Sequence, residues 1–201
     1  MKKILIATAV GLLAAAQVAA QESPWMVRAR AVYIDMHNSD QVAHGALNLG
    51  VDNKTIPEVD VSYFFNKNLA AELILTTPQQ GRVHTGTGTN LGSFKHLPPT
   101  LTLQYHFTNF NGYKPYLGAG LNYTKISNET LSGGYTLSQH SYGPALQAGV
   151  DIPLTKQISL NLDVKKVYMK TDVYSGNGGT TNNGTLYLNP VLFGVGVGYH
   201  F

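Results

Sequence analysis

The segment from Lys95 to Phe107, KHLPPTLTLQYHF, alternates between apolar and polar side chains with a period of two residues. Its apolar side chains are Leu97, Leu101, Leu103, Tyr105 and Phe107, and its polar side chains are Thr100, Thr102, Gln104 and His106. This alternation predicts a β-strand with one apolar face. Pro98 and Pro99 lack a backbone N–H and cannot donate to a β-ladder, so they predict a break near the start of this strand.

The same alternation recurs in seven other segments, and the eight segments together predict an all-β fold. The other seven lie at about residues 25–34, 55–65, 69–77, 114–124, 142–152, 158–168 and 186–201. Short turns at 66–68, 108–112 and 153–157 alternate with longer polar loops at about 35–54, 78–94, 125–140 and 170–184. Short turns at one rim and long loops at the other are typical of outer-membrane barrels. We therefore predict an eight-stranded antiparallel transmembrane up-and-down β-barrel, with both termini at the periplasmic, short-turn rim.

The N-terminal residues, MKKILIATAVGLLAAAQVAA, have the pattern of a cleaved secretory signal peptide. Two lysines precede an apolar run, and small residues form the cleavage site. The run is shorter than the ~20 apolar residues that span a bilayer as a helix. We predict a signal peptide over residues 1–20 and an outer-membrane β-barrel over residues 21–201. Because loss of the two lysines lowers the formal net charge from +3 to +1, nucleic acid is not an expected partner.

A soluble β-sandwich or a lipocalin-like barrel would also alternate, and it is the main alternative to a membrane barrel. In those folds the polar face meets water. Here the face opposite the apolar stripe instead carries the glycines Gly118, Gly120, Gly194, Gly196 and Gly198. Small residues suit the narrow interior of a small barrel, so the pattern favours a membrane barrel with its aliphatic side chains against lipid.

Charged residues share the face that carries the glycines. They are Arg28, Arg30, Glu58, Asp60, Glu72, Asp163 and Lys165. Charges persist in a low-dielectric interior when they are paired and hydrogen-bonded. We predict that they form an ion-pair network that fills the lumen, and the alternative is that they line a polar path. Lys166 falls in the outward register, so either its side chain reaches the rim or a bulge shifts the strand.

The chain shows no motif that predicts catalysis or metal binding. It has no cysteine, and its seven histidines show neither HxH nor HExxH spacing. Ser141 beside His140 is the nearest approach to a catalytic pair, but adjacent residues of a strand point to opposite faces. We expect no enzymatic activity, no metal and no cofactor.

Two segments resemble the OmpW family of outer-membrane proteins. They are HLPPTL at residues 96–101 and PYLGAGLNYT at residues 115–124, and the chain ends in GVGYHF. The resemblance covers essentially the whole chain and implies a monomeric barrel in the outer membrane of a Gram-negative bacterium. It also implies that the barrel-assembly machinery reads the C-terminal strand, including Tyr199 and Phe201.

The resemblance further implies a narrow, largely apolar channel for passive uptake of small hydrophobic molecules, which leave sideways into the membrane. This lateral opening would be framed by Pro98 and Pro99, with Leu97 and Leu101. Proline is tolerated at the edge of a sheet, but a closed barrel has no edge, so two prolines would mark a break in its wall. The alternative is that the prolines lie above the hydrocarbon, where water satisfies the freed carbonyls. Candidate lining residues in the inward register are Ile74 and Leu192.

Two other functions stay open from the sequence. One is a channel for small polar or zwitterionic solutes, lined by Arg28, Arg30 and Glu58. The other is a barrel without transport whose loops bind an extracellular partner. For the hydrophobic channel, the expected partners are outer-membrane lipid, small hydrophobic solutes and the assembly machinery.

Overall fold

Fifteen β-strands run through the residues that this computed structural model describes, namely 23–36, 39–40, 48–175 and 180–201. In chain order they are β1 (Trp25–Asp35), β2 (Ser39–Asp40), β3 (Gly50–Val51), β4 (Lys54–Phe64), β5 (Leu69–Thr76), β6 (Gln79–His84), β7 (Asn90–Leu97), β8 (Thr100–His106), β9 (Lys114–Leu131), β10 (Thr136–Leu137), β11 (His140–Pro153), β12 (Ile158–Val167), β13 (Lys170–Ser175), β14 (Thr181–Tyr187) and β15 (Val191–His200). A short 3-10 helix, Ser132–Gly134, follows β9. The predicted signal peptide lies outside the described residues.

Eight of these strands close into an antiparallel barrel, which confirms the predicted fold. The order around the barrel is β1-β4-β5-β8-β9-β11-β12-β15, and β15 pairs with β1 to close it. Sequential strands are neighbours throughout, as expected for an up-and-down barrel. Ser23 N–H donates to the Phe201 carbonyl at 2.9 Å, so the two ends of the barrel meet at the rim that carries the short turns.

The aliphatic side chains of the barrel strands face outward. Exposed side chains include Val59, Leu73, Leu75, Leu101, Leu103, Leu117, Leu121, Leu146, Leu162, Val164, Val195 and Val197. The inward positions are instead buried and polar, among them Arg28, Glu72 and Lys165. A soluble barrel would place these two faces the other way round. An apolar outer surface on a closed barrel is suited to lipid.

Aromatic side chains border this aliphatic surface at both rims. Around the short-turn rim they include Trp25, Tyr63, Phe65, Tyr105, Phe107 and Tyr113, and towards the opposite rim Tyr33, Tyr142 and Tyr168. Neighbouring rings pack edge to face, for example Trp25 against Tyr63 with 4.9 Å between centroids. Such belts mark the two membrane–water interfaces of a barrel.

Glycine is required inside the barrel where strands and side chains approach closely, and Gly196 and Gly120 are two examples. A Cβ on Gly196 would lie 2.1 Å from the Ala29 carbonyl oxygen, and one on Gly120 would lie 2.0 Å from that of Leu101. These contacts are with backbone atoms, which cannot move without disturbing the ladder. The absence of a side chain therefore makes room for the neighbouring strand and for Arg30, whose Cγ would be 2.8 Å from the added atom on Gly196.

Beyond one rim, the barrel continues into an extension built mainly of strands. The hairpin of β6 and β7 pairs with β3 on one side and with the distal part of β9 on the other. A second sheet has the order β10-β13-β14-β2. Much of 78–94, 125–140 and 170–184, predicted as long polar loops, is therefore strand, because buried apolar residues such as Val83, Phe94 and Val173 pack inside the extension.

The predicted strand boundaries need two corrections at this outer rim. The predicted strand at 186–201 is interrupted at 188–190, between β14 and β15, and the segment from Leu97 is interrupted between β7 and β8. Proline occurs at both interruptions and removes a ladder donor there. Among the described residues, no α-helix is both long and apolar enough to cross a membrane.

Candidate functional site

The ladder between β5 and β8 is interrupted near the outer rim. It ends at the pair Ile74 and Thr100, and pairing across the same seam resumes between β6 and β7 at Gln79 and His96. Within the described stretch 48–175, no ladder pair joins residues 75–78 to residues 97–99. We call these two facing segments the wall window.

The prolines of the wall window are held by β9, on the far side from β5. The Tyr123 N–H donates to the Pro99 carbonyl at 3.1 Å, and the Asn122 amide donates to the carbonyls of Pro98 and Pro99, each at 3.3 Å. Neither proline has an N–H to offer towards β5, and Pro78 likewise has none on the opposite edge. The seam to β9 also has no ladder pair at the two prolines, but its register continues unchanged from Leu97 to Thr100, and the Tyr123 hydrogen bond bridges the gap. The seam to β5 has no such bridge among its ladder pairs.

A cavity lies behind the wall window, and its lining is largely apolar. Its apolar lining residues include Ile34, Ile56, Ile74, Val167, Met169 and Leu192, and Pro98 joins them from the window. The space open to the centre of a water molecule is about 30 Å³, which is room for one or two waters. A larger solute must widen the cavity. At the wall window no ladder hydrogen bond joins the two facing segments, so none has to break when the cavity widens there.

Paired charges close the cavity on its barrel side. Lys165 Nζ donates to both carboxylate oxygens of Glu58, at 3.1 and 3.2 Å. Arg30 contacts the same carboxylate at 3.0 Å, and its other terminal nitrogen lies 2.8 Å from Glu72 and 3.1 Å from Asp60. All five side chains are buried. The lumen below the cavity is therefore occupied by ion pairs.

A second layer of the network is centred on Arg28. Its guanidinium lies 2.8 Å from Asp151, 3.2 Å from Asp60 and 3.4 Å from Glu72, and it donates to the Ser62 hydroxyl at 2.9 Å. The predicted network did not include Asp151, although the period of two residues places Asp151 on the same inward face as Gly149.

The structure brings the seven predicted charged residues together, and neutral polar side chains fill the space between them. Asp163, the remaining member, lies 4.0 Å from Arg30 and 3.9 Å from Lys165. The Tyr116 hydroxyl donates to Asp163 at 2.7 Å, and the Gln147 amide does so at 2.8 Å. Sequence reasoning gave no role to Tyr116 or Gln147, because alternation assigns a face but does not identify partners across the lumen.

On its other side the cavity adjoins an apolar interior within the extension. One buried cluster contains Leu49, Val51, Val83, Phe94, Ile126, Leu137, Val167, Met169, Val173, Leu186 and Leu188. A smaller cluster of Val32, Ile34 and Ile56 lies in the barrel, and Met36 and Leu192 pack against both. A second pocket, lined by residues such as Leu91, Leu131 and Tyr135, opens within the extension. Apolar contacts thus continue from the extension to the cavity.

The six residues predicted for the channel and its lateral opening occupy three different places. Ile74, Leu192 and Pro98 line the cavity. Leu97 and Pro99 lie in the wall window and are partly buried. Leu101, with 57% of its surface exposed, faces outward just beyond the window and not into the cavity.

The remaining predicted residues lie away from the cavity. Tyr199 packs against Phe201 with 5.0 Å between ring centroids, and the Phe201 N–H donates to the Trp25 carbonyl at 3.1 Å. Their role as an assembly signal stays a prediction. Lys166 lies in a regular ladder on both sides, and its Nζ donates to the Asn189 carbonyl at 2.6 Å. Its side chain therefore reaches the interrupted outer rim, and there is no bulge at Lys166.

Ser141 and His140 do not form a catalytic pair. The Ser141 side chain is buried, and its hydroxyl accepts from the Lys170 N–H at 3.1 Å. His140 is exposed, and its ring nitrogen is 2.8 Å from the Tyr123 hydroxyl. In the part of the chain that the structure describes, no group of three or more His, Cys, Asp or Glu side chains could hold a metal ion.

A closed eight-stranded barrel with an aliphatic outer surface, aromatic rims and a polar, ion-paired lumen is an outer-membrane β-barrel. The sequence model of the OmpW family matches residues 21–201, and the chain belongs to that family.

Known proteins agree with this assignment in sequence and in fold. The chain is 39% identical over 190 residues to the uncharacterized outer-membrane protein y4mB of Sinorhizobium fredii, covering 92% of this chain and 82% of that protein. It is 29% identical over 197 residues, 90% of each chain, to the dibenzothiophene metabolism operon protein PahQ of Pseudomonas aeruginosa. The crystal structure of OprG from Pseudomonas aeruginosa superimposes with a TM-score of 0.73 at 25% identity, covering 90% of this chain and 97% of that one.

Proposed function

We propose that the protein is a passive outer-membrane channel for small hydrophobic molecules, which leave the barrel through the wall window into the membrane. The observation that carries this proposal is the arrangement of the cavity between an ion-paired lumen and an interrupted wall. A solute in the cavity meets buried charges on the barrel side and, at the window, two backbone segments that are not paired with each other. The window is therefore the exit that breaks the fewest interactions.

Transport along the proposed route needs no external energy source. Each methylene that moves from water into an apolar environment gains about 0.8 kcal/mol. The apolar interior of the extension offers such an environment, and the lipid around the outward leucines offers a larger one. Uptake therefore runs down a free-energy gradient, and an apolar compound such as the dibenzothiophene in the name of the PahQ operon would gain free energy in this way. The proposal includes no catalytic role, and a single closed chain is the functional unit.

The polar-solute alternative receives less support from the geometry. Arg28, Arg30 and Glu58 are between 0 and 4% exposed and are bound to partners inside the lumen. They would have to leave those partners to line an open path. No observation on the described residues favours the third possibility, a loop surface for an extracellular partner.

The test is uptake of an apolar fluorescent reporter by Gram-negative cells that lack other OmpW-family proteins. We expect the double variant Pro98→Ala/Pro99→Ala to take up the reporter at least threefold more slowly than the unmodified protein. The backbone of residue 99 faces β9, so the N–H restored at residue 98 is the donor that points towards β5 and allows the seam to close. The matched control is Pro57→Ala/Pro144→Ala, which replaces two prolines that pair with β1 and β9 and do not lie on the seam between β5 and β8. Equal uptake by all three proteins would contradict the lateral route, and no uptake by any of them would contradict the channel itself.

A further inference from the structure

The cavity behind the wall window contains two buried polar atoms that have no partner. Among the described residues, the Oγ1 atom of Thr76 and the Nδ1 atom of His96 are buried without a hydrogen bond, and both residues line this cavity. Buried polar groups in proteins are nearly always hydrogen-bonded, so each exception calls for a physical explanation. Because both exceptions occur in one small apolar cavity, a single explanation should account for both.

The other polar side chains of the cavity are already bound to protein. The Thr100 hydroxyl donates to the Pro98 carbonyl at 3.2 Å and accepts from the Asn122 amide at 2.8 Å. The Gln79 amide donates to the Thr77 carbonyl at 2.8 Å and to its hydroxyl at 2.9 Å. Glu58 and Lys165 satisfy one another, as described above. Thr76 and His96 are therefore the lining residues whose buried polar atoms are left for a solute.

Thr76 and His96 also stand on opposite edges of the wall window. Thr76 belongs to the edge 75–78, and His96 directly precedes the edge 97–99. His96 lies in the extension, beyond the interrupted part of the wall. Burial, and to a lesser extent the positive charge of Lys54, lowers the pKa of His96 to about 4, so its ring is neutral at pH 7. A neutral imidazole nitrogen donates or accepts according to its tautomer, and a hydroxyl can do both.

We propose that Thr76 Oγ1 and His96 Nδ1 bind an uncharged hydrogen-bonding group on an otherwise apolar solute. The preferred solutes are then small apolar molecules that carry a hydroxyl, carbonyl or similar group, and not bare hydrocarbons. The apolar lining receives the hydrocarbon part, and the two polar atoms orient the molecule at the window. This inference rests on the proposed channel function and specifies its class of substrate.

A pair of probes that differ by one hydroxyl tests this preference. The probes are naphthalene and 2-naphthol, and the measured quantity is the ratio of their uptake rates in the cells described above. We expect the variant Thr76→Val/His96→Phe to lower the 2-naphthol to naphthalene ratio about threefold to tenfold, which corresponds to the loss of one or two neutral hydrogen bonds. The control Thr87→Val/His140→Phe makes the same two replacements at exposed positions and keeps the ratio of the unmodified protein.

A second measurement reports on His96 directly. In nanodiscs containing the ¹⁵N-histidine-labelled protein, 2-naphthol should shift the His96 Nδ1 resonance, assigned by its absence in His96→Phe, whereas naphthalene should leave it in place. An unchanged uptake ratio in Thr76→Val/His96→Phe, together with an unshifted resonance, would overturn the inference and leave the channel function standing. If the unmodified protein accelerates neither probe relative to cells without it, the channel function fails and the inference falls with it.

Discussion

Individual buried charges are stabilised here by having several partners each. Arg28 contacts three carboxylates and a hydroxyl, and all of these groups are removed from water. Taking such charges out of water is costly, and their attraction offsets the cost when the hydrogen bonds are satisfied. Removing one member of the network therefore leaves its partners buried with fewer opposite charges to offset the cost of their burial.

We expect Arg28→Leu to lower the free energy of unfolding by about 3–5 kcal/mol, because Asp60, Glu72 and Asp151 would be left buried with too few cations. Urea unfolding of the protein refolded in lipid vesicles, followed by circular dichroism, measures this. The control Arg82→Leu makes the same replacement at an exposed position of β6 and should change the free energy by no more than about 0.5 kcal/mol. Similar values for the two variants would show that the network does not stabilise the barrel.

At the scale of the element, the continuous segment of β7 and β8 belongs to both the extension and the barrel. The segment of β7 and β8 leaves the seam with β5 at the double proline while its seam with β9 continues from the barrel into the extension. Proline explains why the segment breaks, and the Asn122 contacts explain why it stays attached. The wall thus opens at one seam without losing the neighbouring one.

The orientation of β8 can be tested by cysteine scanning, since the chain has no natural cysteine. We expect cysteines at Leu101 and Leu103, which face outward, to react with a lipid-soluble maleimide in membranes. Cysteines at Thr102 and Gln104, which face the lumen, should react at least tenfold more slowly because their side chains are buried. Mass spectrometry of the labelled protein gives the rates. Faster reaction at the two lumenal positions would reverse the assignment of faces and, with it, the membrane barrel.

The interior of the whole molecule has two parts, an apolar interior in the extension and an ion-paired lumen in the barrel. Clusters of aliphatic residues fill the extension, and charges fill the barrel lumen below the cavity. The boundary between the two parts lies at the level of the wall window. This division, more than any single residue, favours a sideways path over a straight one.

A closed lumen should not conduct small polar solutes. We expect proteoliposomes containing the protein to swell in glycine no faster than empty liposomes, because paired side chains leave no continuous aqueous path through an eight-stranded barrel. Light scattering measures the swelling rate, and a 16-stranded porin serves as the positive control. Swelling at a rate near that of the porin would favour the polar-solute channel over the hydrophobic one.

Patterns along the chain were sufficient to predict the barrel. Alternation assigned the outward face to residues such as Leu103 and the inward face to Arg28, and the turn lengths indicated which strands are neighbours. Both follow from local geometry, because successive side chains of a strand point to opposite faces. The strands of the extension were missed since segments such as β6 are short, and their apolar residues pack on distant parts of the chain.

The sequence by itself determined the number of barrel strands, the face of each of them and the position of the prolines, since period, charge and a missing N–H are properties of the chain alone. The tertiary structure decided which carboxylates meet Arg28, how the double proline interrupts one seam and spares another, and that Thr76 and His96 share a cavity. These features depend on distances across the lumen and between strands. Such distances are fixed when the sheet closes and its registers are set.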